Sequence, residues 1–199
     1  MPTRLLIATR NAHKLAEIQD ILAVPDLDLV NLDRFPGLPE VVEDAGTFVG
    51  NAAKKACSLA VPAHIWTLAD DSGLEVDALA GDPGVLSARY AGEPVSYAAN
   101  NLKLLKELSG VADRRARFRC VIALANPRGE YRVVEGRCEG MIAEGPRGQN
   151  GFGYDPLFIP RGYTVTFAEI DPGIKNRISH RAMALRAAKT AWFEGKFGF

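Results

Sequence analysis

The chain is poor in cysteine, has no net charge and lacks any long apolar run. Cys57, Cys120 and Cys138 are its three cysteines, an odd number with no CxxC spacing. That excludes a disulfide framework and fits a reducing compartment. Lys+Arg and Asp+Glu both number 24, for a formal net charge of zero. A protein that coats nucleic acid would show a basic excess, so no nucleic-acid partner is expected. A small anion held by a few local cations remains compatible with neutrality. No apolar segment approaches the roughly 20 residues of a membrane helix. Arg4 is not followed by a long apolar segment, so no secretory signal is expected. There is no repeat, no low-complexity tract and no linker, and the GxxxxGK[ST] phosphate loop is missing. A cytoplasmic protein folded as one domain over residues 1–199, with no membrane partner, is the expectation.

What is present is enough for a core: 47% of the 199 residues are hydrophobic. The chain is organised around Leu68-Ala69-Asp70-Asp71-Ser72-Gly73. The apolar run Ile65 to Ala69 reads as a buried strand, and Ser72-Gly73 reads as the turn that ends it. Adjacent carboxylates repel, so the pair makes sense where a cation lies between them and something anionic. Mg²⁺ commonly binds through one or two carboxylates plus substrate phosphates. Asp70 and Asp71 therefore suggest metal-assisted phosphate chemistry. The competing reading is a plain turn, because Asp and Ser side chains bond nearby backbone.

The flanking sequence adds to the first reading. Leu5-Leu6-Ile7-Ala8 reads as a buried strand, followed by a helical pattern of Leu15, Ile18, Ile21 and Leu22 with Asn11 as N-cap. Lys14 falls in the first helical turn, where the dipole disfavours a cation. An anionic ligand would repair that, and so would pairing with Glu17. A second strand is expected over Leu27 to Leu32, and a helix capped by Thr47 running to about Ala60. Glu43 precedes that helix, where it could complement the dipole or add an oxygen to a bound cation. Ser96 should cap another helix closed by Gly110. Phe118 to Leu124 and Tyr131 to Glu135 read as a hairpin across Asn126-Pro127-Arg128-Gly129, with a further strand at Glu139 to Ala143. Strand–helix alternation followed by a meander implies a mixed sheet. Phe152 and Tyr154 lie among Gly145, Gly148, Gly151 and Gly153. They suit a nucleobase platform or a loop whose rings return to the core. Ser179 reads as the cap of a last helix through Trp192, with His180 and Arg181 offering donors to a carbonyl.

Together, Thr9-Arg10-Asn11-Ala12-His13-Lys14, Ala69 to Leu74, Pro83-Gly84, Ser87-Ala88-Arg89-Tyr90, Gly151 to Pro156 and Ile178 to Arg181 resemble, in order, the motifs of the ITPase or Ham1-like family of non-canonical purine nucleoside triphosphate pyrophosphatases. The resemblance implies an α/β fold with an elongated central mixed sheet flanked by helices, and two lobes with a cleft between them. It implies Mg²⁺-dependent hydrolysis of ITP, dITP and XTP to monophosphate and pyrophosphate by a homodimer. It makes Asp71 the catalytic acid and a metal ligand, with Asp70 and Glu43 beside it at the metal. It places Thr9, Asn11, Lys14, Ser72 and Lys175 along the triphosphate and sugar, and Phe152, Gly153, Tyr154, Asp155, His180 and Arg181 around the base. Donors from His180 and Arg181 would accept a 6-oxo purine and leave a 6-amino purine mismatched. One departure stands out: many members read T-F-x-E-N-A where this chain has Thr47-Phe48-Val49-Gly50-Asn51-Ala52, so Gly50 replaces an acid. A nucleotide sensor without turnover and a metal-dependent nuclease are the alternatives from other classes.

Overall fold

The computed structural model describes residues 3–193. Six strands form one sheet in the order β2-β1-β3-β4-β5-β6. These are β1 (Thr3–Ile7), β2 (Leu27–Asn31), β3 (Trp66–Val76), β4 (Arg115–Ala125), β5 (Tyr131–Ile142) and β6 (Phe158–Pro160). β1 runs parallel to both β2 and β3, while β5 and β6 are antiparallel. The sheet is therefore mixed, as expected. The α-helices are α1 (Ala12–Ile21), α2 (Phe48–Ala63), α3 (Tyr97–Glu107), α4 (Pro172–Ile178) and α5 (His180–Ala188). None of the described helices is long and apolar enough to cross a membrane.

By contacts the described chain divides into two compact units. The first takes residues 3–71, 120–136 and 181–193, the second residues 72–119 and 137–180. The division falls inside β3, β4 and β5. The first unit's core joins Leu5, Ile7, Ile18, Leu68, Ile122, Leu124, Leu185 and Trp192. The unbroken apolar stretch of β1 arises because Leu5, Leu6 and Ile7 are all buried, as both faces of a parallel strand usually are. The second unit's core joins Leu74, Val76, Leu104, Phe118, Phe158 and Phe167. Phe118 and Phe158 pack with ring centroids 4.7 Å apart, within the range where aromatic pairs add to simple burial.

Helix starts obey the local chemistry of their caps. Asn11 accepts from the backbone of His13 and Lys14, Thr47 from Gly50, and Ser96 from Ala99. Three expectations need correction. Ser72-Gly73 does not end a strand, because β3 continues to Val76. An extended backbone sends Asp70 and Asp71 to opposite faces, so each finds its own partners and no turn is needed. Gly110 is not the cap of α3. The cap is Leu108, and Gly110 turns the chain afterwards with φ of +72°. Glu139 to Ile142 is the end of β5 and not a separate strand, and β6 is the third member of the meander. Beyond these, a helix not expected from the sequence, α4, precedes the last one, started by Asp171 with Pro172 behind it, and Ser179 lies extended directly before α5, the position expected of its cap. Pro in the first turn of a helix lacks only an amide that has no intrahelical partner there.

α2 ends on His64, held at φ 52° and ψ 37°. A side chain with a Cβ is strained in that left-handed region, whereas glycine adopts it freely. His64→Gly is expected to raise stability by about 0.5–1 kcal/mol. Chemical denaturation checks it, and an unchanged or lower midpoint refutes it.

Candidate active site

The acidic centre belongs to the first unit and is built on the middle of β3. Asp70 is 1% exposed. Its carboxylate receives Arg181 Nη2 at 2.9 Å and Lys14 Nζ at 3.1 Å. Arg181 is itself 1% exposed and also pairs with Glu17 of α1. Burial alone would raise the Asp70 pKa, but Lys14, Arg181 and Lys55 outweigh it and hold the carboxyl well below the usual range. Burial likewise opposes the Arg181 charge, and Asp70 with Glu17 more than restores it. Lys14 thus meets an anion within the fold, Asp70, at the start of α1. Thr9 and Asn11 shape that start: the Thr9 hydroxyl accepts from the Asn11 amide at 3.2 Å.

Asp71 lives in a different environment. It is 5% exposed, and its Oδ2 accepts from Asn51 Nδ2 at 2.9 Å. Burial pushes its pKa up to about 6; the Asn51 bond opposes the rise and the nearby Glu43 charge adds to it. Lys55, also buried, donates to the Asp70 carbonyl at 2.8 Å and pairs with Glu43. Burial disfavours the Lys55 charge, yet Asp70 and Glu43 keep its pKa above the ordinary value. Ser72 follows Asp71 in the same strand. Lys55 and Asn51 are functional candidates that sequence reasoning missed. Both are polar positions four apart on one helix, a spacing that also describes a solvated face. The signal was the apolar run Ala52-Ala53 and Ala56 between and beside them.

The donor set is all oxygen, which suits a hard cation. Asp70, Asp71 and Glu43 do not converge as a cage: no group of three or more His, Cys, Asp or Glu side chains among the described residues is placed to hold a metal ion. Asp70 is taken up by Lys14 and Arg181. Oxygen donors in small number are compatible with a cation that completes its shell with water and phosphate.

The second unit carries the aromatic group. Lys175 of α4 is 6% exposed and pairs with Asp155 at 2.7 Å. Its ammonium lies 5.0 Å from the Phe152 ring centre. Asp155 Oδ2 also accepts from the Phe152 amide at 2.8 Å. A Cβ on Gly151 would lie 2.0 Å from that oxygen, so the turn requires glycine there. The two aromatics of this loop differ. Tyr154 is buried in the core, with its hydroxyl donating to the Ser87 carbonyl at 2.9 Å, whereas Phe152 is half-buried. Gly153 offers its carbonyl to Asn101 of α3 at 3.1 Å, and Tyr97 of the same helix has its ring 6.2 Å from Phe152. His180 is buried and stacked on Phe118, with centroids 4.6 Å apart and planes 12° apart. The structure thus groups Phe152, Gly153, Asp155 and Lys175, while Arg181, expected at the base, is committed to Asp70 and Glu17. Ser87 is part of the scaffold: it accepts from the Leu74 amide, and Asn100 donates to the Ser87 and Ala88 carbonyls.

Comparison with known proteins agrees with the motif reading. A family model described as the Ham1 family matches residues 5–191. A dITP/XTP pyrophosphatase of Desulforamulus reducens is 52% identical over 187 residues, covering 93% of each chain. One from Geobacter sulfurreducens is 51% identical over 189 residues, covering 94% of this chain and 95% of its own. Among solved structures, the Ham1 protein of Staphylococcus aureus superposes with a TM-score of 0.88 at 40% identity, over 98% of this chain and 100% of that one. A HAM1 protein from Coxiella burnetii gives 0.89 at 41% identity, over 96% and 99%.

The buried Asp71 charge has a thermodynamic consequence. Its folded-state pKa of about 6 exceeds the ordinary 3.8, so the folded protein binds the extra proton between those values. Stability therefore falls as pH rises from about 4 to 6 and stays lower above. Asp71→Asn removes the charge and can still accept from Asn51. It should stabilise the protein at pH 8 by up to about 3 kcal/mol, with the gain vanishing toward pH 4. Melting curves across that range check it. A pH-independent difference, or a loss at pH 8, contradicts it.

Proposed function

The chain belongs to the Ham1 family, and from that premise we propose that it hydrolyses ITP, dITP and XTP to the nucleoside monophosphate and pyrophosphate, using Mg²⁺. The observation that best supports this is the placement of Asp71: a buried carboxylate in the middle of β3, bonded to Asn51 at 2.9 Å, beside Glu43 and among lysines. Asp71 takes the proton of the attacking water or orients it. Lys14 and Lys55 neutralise the polyphosphate and stabilise the charge that develops on its oxygens. Thr9, Asn11 and Ser72 lie beside these groups in the chain and serve the triphosphate and sugar. Asp71 and Glu43 would hold the Mg²⁺, which would supply polarisation of the phosphate oxygens. Asp70 acts through Lys14 and Arg181 as a structural partner of that centre.

Phe152 is the stacking face for the purine, and Lys175 and His180 supply the donors that favour a 6-oxo group. Arg181, which also pairs with Asp70, is a further donor for that group. A site with fixed donors discriminates steeply, because the 6-amino group of adenine leaves them unmatched. The protein works in the cytoplasm, where the free thiols of Cys57, Cys120 and Cys138 remain reduced, and as a homodimer.

Pyrophosphate release from ITP, XTP, dATP and dGTP with Mg²⁺ is the deciding assay. ITP and XTP should be turned over with dATP and dGTP far behind, and EDTA should abolish turnover until Mg²⁺ is restored in excess. No release from ITP at micromolar enzyme overturns the assignment. Asp71→Asn is expected to lower kcat by about 10²–10⁴-fold, and wild-type turnover would take Asp71 out of its role. Phe152→Ala should raise KM for ITP by about 10-fold, the size of one lost base stack. An unchanged KM would move the base elsewhere.

A further inference from the structure

We propose that Asn51 is a positioning residue for the reaction. It fixes the orientation of the Asp71 carboxylate and ties it to the segment that carries Glu43. The inference rests on the role given to Asp71 above.

Asn51 is 2% exposed and sits in the first turns of α2, its own amide donating to the Thr47 carbonyl at 2.9 Å. Asn is a poor choice for a buried helical position, because its amide must be fully bonded to be tolerated. Here both ends are used, and on different segments. Oδ1 accepts from the Ala45 backbone amide at 2.9 Å, and Nδ2 donates to Asp71 Oδ2 at 2.9 Å. The Ala45 N–H can only donate, so it dictates which end of the side chain faces it. The amino end is thereby aimed at Asp71, with no ambiguity of amide assignment.

Gly50 makes this arrangement possible. A Cβ at position 50 would lie 2.7 Å from the Ala45 Cβ and 3.0 Å from the Thr47 hydroxyl. Glycine lets residues 43–45 close onto the first turn of α2. One helical turn further on, Lys55 takes hold of Glu43 and of the Asp70 carbonyl. Positions 51 and 55 share a face, so this face of α2 grips the acidic segment at two points and β3 at two points. Of the two, Asn51 is the contact on the Asp71 carboxylate itself.

The test uses Asn51→Leu, Asn51→Asp, Asn51→Asp combined with Asp71→Asn, and Gly50→Ala, with three readouts. ITP kinetics should show kcat reduced about 10²-fold in Asn51→Leu, the scale of a small misplacement of a reacting group, with KM within about 3-fold. A kcat within 3-fold of wild type, or a KM that rises in step with the loss of kcat, overturns the proposal. Amide exchange at Ala45 should lose protection in Asn51→Leu and in Gly50→Ala, and keep it in Asn51→Asp, which still accepts that bond. Retained protection in Asn51→Leu contradicts the tie. Thermal stability at pH 8 should fall in Asn51→Asp, where two carboxylates oppose each other, and recover in the double variant, where the amide donates in the other direction. Failure to recover rejects the pairing. Wild-type protein that leaves ITP intact would sink the catalytic role of Asp71 instead, while exchange and the stability swap still decide whether Asn51 holds Asp71.

Discussion

The first unit depends on the burial of one charge, Asp70. A carboxylate with its side chain fully removed from water is tolerable only with partners close enough to replace hydration. Lys14 and Arg181 provide that, and Arg181 is itself made tolerable by Asp70 and Glu17. The network joins β3, α1 and α5, elements far apart in sequence, so it specifies which helices meet the strand. Removing one member would leave its partners buried and unmatched, at a cost of about 3–5 kcal/mol. Such a network serves structure whatever the chemistry next to it.

The adjacent acid follows from strand geometry. With Asp70 pointed at the cations, the alternation of β3 sends Asp71 the other way. There it meets a neutral amide from Asn51 and the charge of Glu43. Two identical side chains, one residue apart, are thus driven in opposite directions in pKa, Asp70 down and Asp71 up. Environments that separate the pKa values of neighbouring acids divide labour between them. Asp70 is held permanently ionised as a strut. Asp71 is kept near the threshold of protonation, which suits proton transfer and opposes stability. The fold tolerates that cost because the neighbouring network is secure.

The sequence reveals the parts of this whose signal is local. Asn11, Thr47 and Ser96 announce their helices because a cap is a bond within three residues. The apolar run of β1 and the meander of β4 and β5 are legible from period alone. Asp70-Asp71-Ser72-Gly73 misleads because its composition is that of a turn, and only tertiary partners make it a strand. Glu139 to Ala143 reads as a separate strand because Gly136 follows Glu135, and glycine weakens most strands. A Cβ at position 140 would lie 2.3 Å from the Ile159 carbonyl, so that glycine permits the close approach of β6 and does not end the strand. The candidate site was legible in its acids and lysines through ordered motifs. It was not legible in Asn51 or Lys55, whose importance lies in contacts with segments 43–45 and β3. The ion pairs of Arg181 with Asp70 and Glu17 were not legible either, because both partners lie far from it in sequence.

The second unit poses a different problem, how to present a donor without solvating it. Lys175 is nearly buried, and its charge is balanced by Asp155 at 2.7 Å. Asp155 is in turn held by the amide of Phe152, so the ring and the ammonium are set by one carboxylate. Tyr154, two residues after Phe152, anchors the loop through the Ser87 carbonyl, while Asn101 holds Gly153 between them. His180 gains rigidity from its stack on Phe118. In the proposed reading a flat ligand meets groups that are already oriented, and such interactions lose less on binding. In the proposed reading this is where selectivity between oxo and amino purines originates. A fixed, charge-balanced donor rewards an acceptor fully and gives nothing to a second donor. A flexible surface lysine would turn to water when faced with adenine and would distinguish the two bases weakly. A buried ion pair contributes little net stability over a well-packed apolar pair, and in the proposed reading the pair of Lys175 with Asp155 serves discrimination.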